Sequence, residues 1–291
     1  MKNKITSIFL LILVVLISLV YKEYQSFNDF YDDKLDIYFI DVGQGDAELI
    51  TTPKGSVILI DGGPSNNLSY EISNLLPFWI DRINLVIVSH SHADHISGLI
   101  DIFDRYRIDC ILYDDFDEPI SNIEKHLRQT IYDKPRIKSF TSKDSPPIVS
   151  GCLDRDEHLS MINYVNPQIT DKQKNQNLES IVTLLSDGSF DILFTGDAEN
   201  EEQANIINNI NMDIEILKVP HHGASDSFYS DFVKKLQPEL AIISVGKDNS
   251  YKHPNQSVLD AYKKMDIPVF RTDLKGTIHI KEKDNYWWLV N

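Results

Sequence analysis

Two series of short apolar runs, separated by a change of rhythm, restrict this chain to a layered α/β architecture. The first series, LDIYFIDV, AELITT and SVILID, is broken by GQGD and PKG turns and reads as a meander of adjacent antiparallel strands. After it, helical patterns alternate with buried strands. LSYEISNLLPFWI precedes INLVIVS, and NEEQANIINN, SFYSDFVKKL and NQSVLDAYKKM fall among SIVTLLS, FDILFTG, IEILKVP and ELAIISV. Strands in two series with helices interspersed predict sheets covered by helices, not a simple doubly wound fold. No Pro/Gly/Ser linker cuts the chain and no internal repeat is visible. Residues 103–171 are the least readable part and are expected to hold an insertion.

One apolar segment stands outside this pattern. Lys2 and Lys4 precede residues 5–21, ITSIFLLILVVLISLVY, in which only Thr6, Ser7 and Ser18 are conventionally polar apart from the terminal Tyr21. As a helix it spans roughly 26 Å, a little short of the hydrocarbon core of a bilayer. The bulky residues of ISLVYKEYQSF replace a small-x-small cleavage site, which favours an uncleaved anchor over a signal peptide, with the positive end inside and the globular part outside. The organisation expected is therefore a signal anchor or signal peptide over 1–21, a charged, aromatic tether over 22–34 and a globular domain over 35–291. The protein is expected at the cell membrane as a single-pass chain with its domain outside, or secreted if the segment is cleaved. In an oxidising compartment Cys110 and Cys152 can be a disulfide or two buried thiols, and the sequence leaves both open.

Charge narrows the partners. The chain has 44 acidic and 28 basic side chains, a formal net charge of -16, which argues against a surface that grips nucleic acid everywhere. The deficit is uneven: from residue 232 to the end the basic residues, among them Lys252, Arg271 and Lys275, exceed the acidic ones. An anionic substrate is expected to meet that part.

The chemistry concentrates in Ser89-His90-Ser91-His92-Ala93-Asp94-His95, directly after the strand INLVIVS and before the helix-like HISGLIDIF. On an extended segment His90 and His92 project to the same side, while Asp94 and His95 open the following helix and reach a second point nearby. Imidazoles with a carboxylate suit Zn, Mn or Fe. Thr195-Gly196-Asp197 follows the strand FDILF, and Val219-Pro220-His221-His222-Gly223 follows IEILK. Each fragment alone is weak. In order, they supply the carboxylate bridge and extra imidazole that a two-metal site needs.

The ordered set FIDVGQGDA, ILIDGG, HSHADH, LFTGDAE, KVPHHGASDS and SVGKDNSYKHP resembles the metallo-β-lactamase superfamily, and within it the C-terminal hydrolase domain of ComEC-type competence proteins. The resemblance runs over about residues 36–281. HSHADH carries the superfamily, whereas FIDVGQGDA, HHG and the final His-Pro carry the ComEC-like branch. It implies an αββα sandwich, preceded here by the membrane anchor helix, with one or two divalent metal ions, Zn or Mn, at the edge between the sheets. Carried over residue by residue, His90 and His92 would serve one ion and Asp94, His95 and one HHG histidine the other, with Asp197 bridging. The family's spacing selects His222 over His221. Asp61 would orient ligand histidines from behind. Asp94 and His253 become the catalytic candidates, His253 donating a proton to a leaving group or holding a phosphate oxygen. His221, Asn177, Lys252, Arg271 and Lys275 are candidates to support the ligands or touch substrate.

The sequence departs from many superfamily hydrolases in one respect. Where a third histidine would join the first ion, residues 175–180 read NQNLES, leaving Asn177 as a weak ligand or a substrate contact. The implied function is an extracytoplasmic metal-dependent hydrolase in which bound metal lowers the pKa of a water toward neutrality. A phosphodiester is the favoured substrate, either single-stranded DNA or another extracellular phosphoester. The alternatives are a small-molecule hydrolase of the phosphorylcholine esterase type or another ester hydrolase, and a non-catalytic, metal-stabilised binding module. No protein partner is identifiable. His126 and His158 have no motif partners and are expected in solvent, and His279 is placed by strand alternation in GTIHIK.

Overall fold

The computed structural model describes residues 2–65, 67–113, 119, 121–141, 151–153, 159–164 and 175–290. His158, expected in solvent, lies outside them. Helix α1 (Lys2–Phe30) leads into β1 (Leu35–Phe39), β2 (Glu48–Thr51) and β3 (Val57–Ile60), which pair antiparallel as the meander expected from their turns. Then α2 (Leu68–Leu75), β4 (Arg82–Ile87), α3 (Ala93–Ile96), α4 (Leu99–Arg105), β5 (Arg107–Tyr113), α5 (Asn122–Tyr132) and β6 (Lys138–Thr141) continue the same sheet with parallel pairings.

The second sheet begins with β7 (Leu159–Tyr164), β8 (Val182–Asp187) and β9 (Phe190–Phe194). It continues through α6 (Asn200–Ile206), β10 (Ile216–Lys218), α7 (Ser230–Leu236), β11 (Leu240–Ile243), α8 (Gln256–Lys264) and β12 (Val269–Arg271). After the short α9 (Thr272–Lys275), β13 (Ile278–Lys283) and β14 (Tyr286–Val290) return to the first sheet. The sheet orders are β14-β13-β1-β2-β3-β4-β5-β6 and β12-β11-β10-β9-β8-β7.

Alternation along the strands divides the apolar residues into three layers. Ile58 and Ile60 of β3, Phe190, Ile192 and Phe194 of β9, and Leu240 and Ile242 of β11 face the core between the sheets. Val57 and Leu59 point the other way, to Leu68, Ile72, Leu99, Ile102 and Leu127 of α2, α4 and α5. Leu193, Ala241 and Ile243 face Ile206, Phe232, Val233, Leu236, Val258 and Tyr262 of α6, α7 and α8. The result is an αββα sandwich, because each sheet has two apolar faces and only a helix layer can cover the outer one.

Three local expectations are refined. Residues 22–34 are helical as far as Phe30, and Phe30 packs on the helix layer of the first sheet. Among the described residues α1 is the helix long and apolar enough to cross a membrane. The stretch 103–171, expected to hold an insertion, contributes β5, α5 and β6 to the first sheet and β7 to the second. Cys110 and Cys152 are bonded, which ties β5 to residue 152 across 42 positions. Chain-entropy reasoning puts the stabilisation at about 4 kcal/mol for a loop of this size. Reduction is therefore expected to lower the denaturant midpoint strongly, as read by unfolding with and without dithiothreitol. An unchanged midpoint would show that the bridge constrains nothing.

Candidate metal centre

The parallel strands of both sheets bring their C-terminal ends to one seam. From β4 the chain runs into Ser89–His95, from β3 into Asp61, from β9 into Asp197 and from β10 into the paired histidines. Backbone bonding ties these loops together: Ile181 N donates to Ser89 O across the seam at 2.8 Å, and His221 N to Gly196 O at 3.1 Å between neighbouring strand ends of the second sheet. Gly196 has φ +49 and a side chain there would lie 2.8 Å from Ser89 Cβ, so only glycine lets Asp197 approach the histidine loop this closely.

The six residues assigned as ligands from the sequence meet at the seam as two triads. Donor atoms of His90, His92 and Asp197 lie within 4.8 Å of one another, as do those of Asp94, His95 and His222. Asp197 faces both: its Oδ2 is 3.7 Å from His90 Nε2, and its Oδ1 is 3.3 Å from His95 Nε2 and 3.7 Å from His222 Nε2. His222 Nε2 also lies 3.6 Å from Asp94 Oδ2.

The other ring nitrogens are fixed from behind. Asp61 accepts from His95 Nδ1 at 2.8 Å and from Ser89 Oγ at 2.6 Å, and Ser89 Oγ in turn lies 3.1 Å from His90 Nδ1. His222 Nδ1 donates to Ser244 O at 2.9 Å. In the neutral imidazoles these contacts leave the Nε2 atoms of His90, His95 and His222 with their lone pairs toward the seam. His90 Nε2, His95 Nε2, His222 Nε2 and Asp197 Oδ1 are buried without a hydrogen-bond partner, and so is Asn177 Oδ1. Unpaired buried polar atoms cost about 1–3 kcal/mol each, and several aimed at one point fit divalent metal.

The remaining candidates divide. Asn177 Nδ2 donates to Glu199 Oε1 at 2.9 Å. His221 Nε2 comes to 3.7 Å from Asp197 Oδ2, while its Nδ1 is 3.6 Å from Asp226 Oδ1. His221 and His222 both have left-handed backbone, φ 47 and 52, a strain that splays adjacent rings to different sides of Asp197. His253 stands beside them, its ring 5.7 Å from His221 and stacked on Tyr251, in a loop pinned by Asn249. Lys252 is exposed next to it.

Arg271 and Lys275 do not extend this cluster among the contacts of the described residues. The Arg271 guanidinium is paired with Asp273, and the Lys275 ammonium lies 4.2 Å over the Phe270 ring. A charge count could not see those partners. His126 is exposed on α5, and His279 stacks on Tyr38 and bonds Asp36.

Sequence reasoning missed the pair behind the site. Lys218, fully buried at the end of β10, donates to Asp46 and, at 3.0 Å, to the carbonyl of Gly196. Asp46 Oδ1 is 3.3 Å from His222 Nδ1, and Asp46 Oδ2 is 3.7 Å from His95 Nδ1. The signal was a lysine closing the strand run ILK before Val219, where only a buried counter-charge makes it tolerable.

Electrostatics follow from burial and pairing. Burial alone would lower His222, but Asp197 and Asp46 raise it to about 10. Burial likewise opposes the rise of His95, which Asp197 and Asp61 carry well above the ordinary imidazole value. Against burial, the His222 hydrogen bond and the His95 charge hold Asp94 at about 2. Burial, joined by the His95 charge, pushes His90 well down.

The metal-free cluster is thus held by imidazolium–carboxylate pairs. The His222 contribution is complete below its ordinary 6.5 and is lost as pH rises through about 10. That of Asp94 is complete above 3.8 and is lost as pH falls through about 2. Chelator-stripped protein is expected to be most stable between about pH 4 and 6.5, with the alkaline decline removed by Zn or Mn, which replaces the imidazole protons. Thermal unfolding across pH 3–10 with and without metal checks this. A stripped protein equally stable at pH 6.5 and 10 would contradict it.

Comparison with known proteins places this geometry. Residues 40–149 match the family model of the metallo-beta-lactamase superfamily. Over 270 residues, 86% of this chain and 33% of the relative, it is 28% identical to ComE operon protein 3 of Bacillus subtilis. It is also 28% identical to Recombination protein 2 of Haemophilus influenzae, over 83% of this chain and 28% of that one. The chain therefore spans about a third of the length of these curated relatives. Among solved structures it resembles Igni18, a metallo hydrolase from Ignicoccus hospitalis, with TM-score 0.52, 13% identity and coverage of 84% and 98% of the two chains. The E377D mutant of the CmlA beta-hydroxylase gives 0.54 at 13% identity, over 86% of this chain and 54% of that one. At these identities the structural likeness concerns the fold.

Proposed function

We propose that this chain, a metallo-β-lactamase superfamily domain of the ComEC type, is a metal-dependent phosphodiesterase that acts outside the membrane to which α1 anchors it. The carrying observation is the division of the Asp197 carboxylate between two triads whose buried donor atoms lack other partners. His90, His92 and Asp197 would hold one ion and Asp94, His95 and His222 the other. When bound, such ions supply Lewis acidity toward a phosphoryl oxygen and an activated water.

The protein's own groups do the rest. Asp61, directly and through Ser89, fixes the tautomers of His95 and His90. Asp94 stays ionised at the mouth of the site, where it can take a proton from the attacking water. His221 and His253, ring to ring at the rim, are placed to hold a phosphate oxygen or the leaving group. Lys252 beside them adds positive charge for a polyanion. The names of the two curated relatives, a competence-operon protein and a recombination protein, favour DNA among phosphodiesters.

The test is hydrolysis by the detergent-solubilised full chain, with Mn and with Zn, of single-stranded DNA and of bis-p-nitrophenyl phosphate. Cleavage of both, lost in His92→Ala, is the expected result. Cleavage of the small ester alone would favour a small-molecule esterase. Metal-dependent stability without turnover of either would leave a binding module and overturn the proposal.

A further inference from the structure

Away from the histidine cluster, an aromatic corner beside the end of α1 serves neither the core nor the proposed chemistry. Phe78, in the turn after α2, is 80% exposed and sits edge-on to Trp79 at 5.3 Å. The Trp79 ring is 6.2 Å from Phe27 of α1, and Phe27 is 4.9 Å from Tyr31. Tyr24, one turn before Phe27, is also exposed. An aromatic row thus climbs the helix and passes onto the domain.

Its height above a bilayer is fixed by the helix. α1 is unbroken from the apolar run to Phe30, and Glu23, Ser26 and Phe30 are already half-buried, so the domain begins to pack on α1 within a turn of Tyr21. Phe27 is six residues past Tyr21, roughly 9 Å along the axis. The headgroup layer is about 5–7 Å deep on each side. The apolar run, roughly 26 Å against a core of about 30 Å, is short, and a short span draws its flanks toward the lipid. Trp and Tyr settle at this level, and Phe is used beside them on the apolar faces of interfacial segments.

Charge around the end of α1 is balanced by pairing, Asp32 meeting Lys34 and Lys281 and Asp33 meeting Lys54, so no uniform charge selects the lipid and a neutral surface suffices for the aromatic side chains.

We infer that residues 77–79, together with Tyr24, rest in the headgroup layer of the membrane spanned by α1 and set the orientation of the domain on it. The inference depends on α1 crossing a bilayer and is independent of the reaction catalysed. Its test uses the full chain in phosphatidylcholine nanodiscs. The chain has no free thiol among the described residues, because Cys110 and Cys152 are bonded, so a single cysteine can carry an environment-sensitive fluorophore. Phe78→Cys and Tyr24→Cys are labelled, with Lys263→Cys on α8, in the outer layer of the other sheet, as the solvent reference.

The expected result is blue-shifted emission from positions 78 and 24, quenched by spin-labelled lipid, with position 263 unaffected. If position 78 behaves like position 263 while position 24 is quenched, the corner stands clear of the membrane and the inference is wrong. A chain that fails to enter nanodiscs would remove the spanning helix and the inference together, leaving hydrolysis in detergent to be judged separately.

Discussion

Asp197→Ala is expected to remove hydrolysis by at least about 10³-fold, a larger loss than for any other single ligand. Among the described residues Asp197 is the side chain whose two oxygens face both triads, at 3.7 Å to His90 Nε2 and 3.3 Å to His95 Nε2. Its removal takes one donor from the first triad and the carboxylate shared with the second, so metal content measured on dialysed protein should fall at both positions. The same carboxylate is one of those that raise His95 and His222, so the stripped variant should show a weaker alkaline decline in stability than the parent. Far-ultraviolet circular dichroism should remain that of the parent, since the apolar layers are untouched. Asp61→Asn provides the contrast: it alters the partner of His95 Nδ1 but no atom of either triad, and metal affinity should weaken about 10–100-fold without loss of stoichiometry. Full activity in Asp197→Ala would refute the shared site.

The second large effect concerns stability. Lys218→Met should destabilise the metal-loaded protein by about 3–5 kcal/mol, because it leaves Asp46 buried without its principal counter-charge. Burial raises and Lys218 chiefly lowers the Asp46 pKa, so the single variant should also drive Asp46 toward its protonated form. Combining Lys218→Met with Asp46→Leu removes both charges and should recover much of the loss, as buried ion pairs replaced by apolar residues often do. Activity need not recover, since Asp46 stands against the Nδ1 atoms of His222 and His95, and Lys218 holds the carbonyl that precedes Asp197. Denaturant titration of the three variants gives the coupling. A double variant no more stable than the single one would show that the pair contributes no such penalty.

Helix-covered sheets were legible from the rhythm of short apolar strands and intervening helical patterns, and HSHADH places four candidate donors within a few residues of a strand end. The αββα arrangement and the ligand roles of the remote Asp197 and His222 come from the family resemblance. What was hidden depends on distance in sequence. The partner of Lys218 lies 172 residues away, and no window around IEILKVP contains it. Arg271 shows the reverse error: its acid is two residues on, but a net charge cannot tell a paired guanidinium from an open one. KEYQSFNDF reads as a tether because charged and polar residues surround its aromatics, although Tyr24, Phe27 and Phe30 are spaced at helical intervals. It continues as helix because α1 is already nucleated and Phe30 finds the helix layer of the first sheet.

Each triad mixes donors from both sheets: His90 and His92 join Asp197, and Asp94 and His95 join His222. Neither half of the polypeptide therefore owns a competent cage. If the proposed ions bind there, their loading would be a checkpoint on assembly, because a chain whose halves had docked out of register could not acquire them, and a chain that had acquired them would be clamped shut.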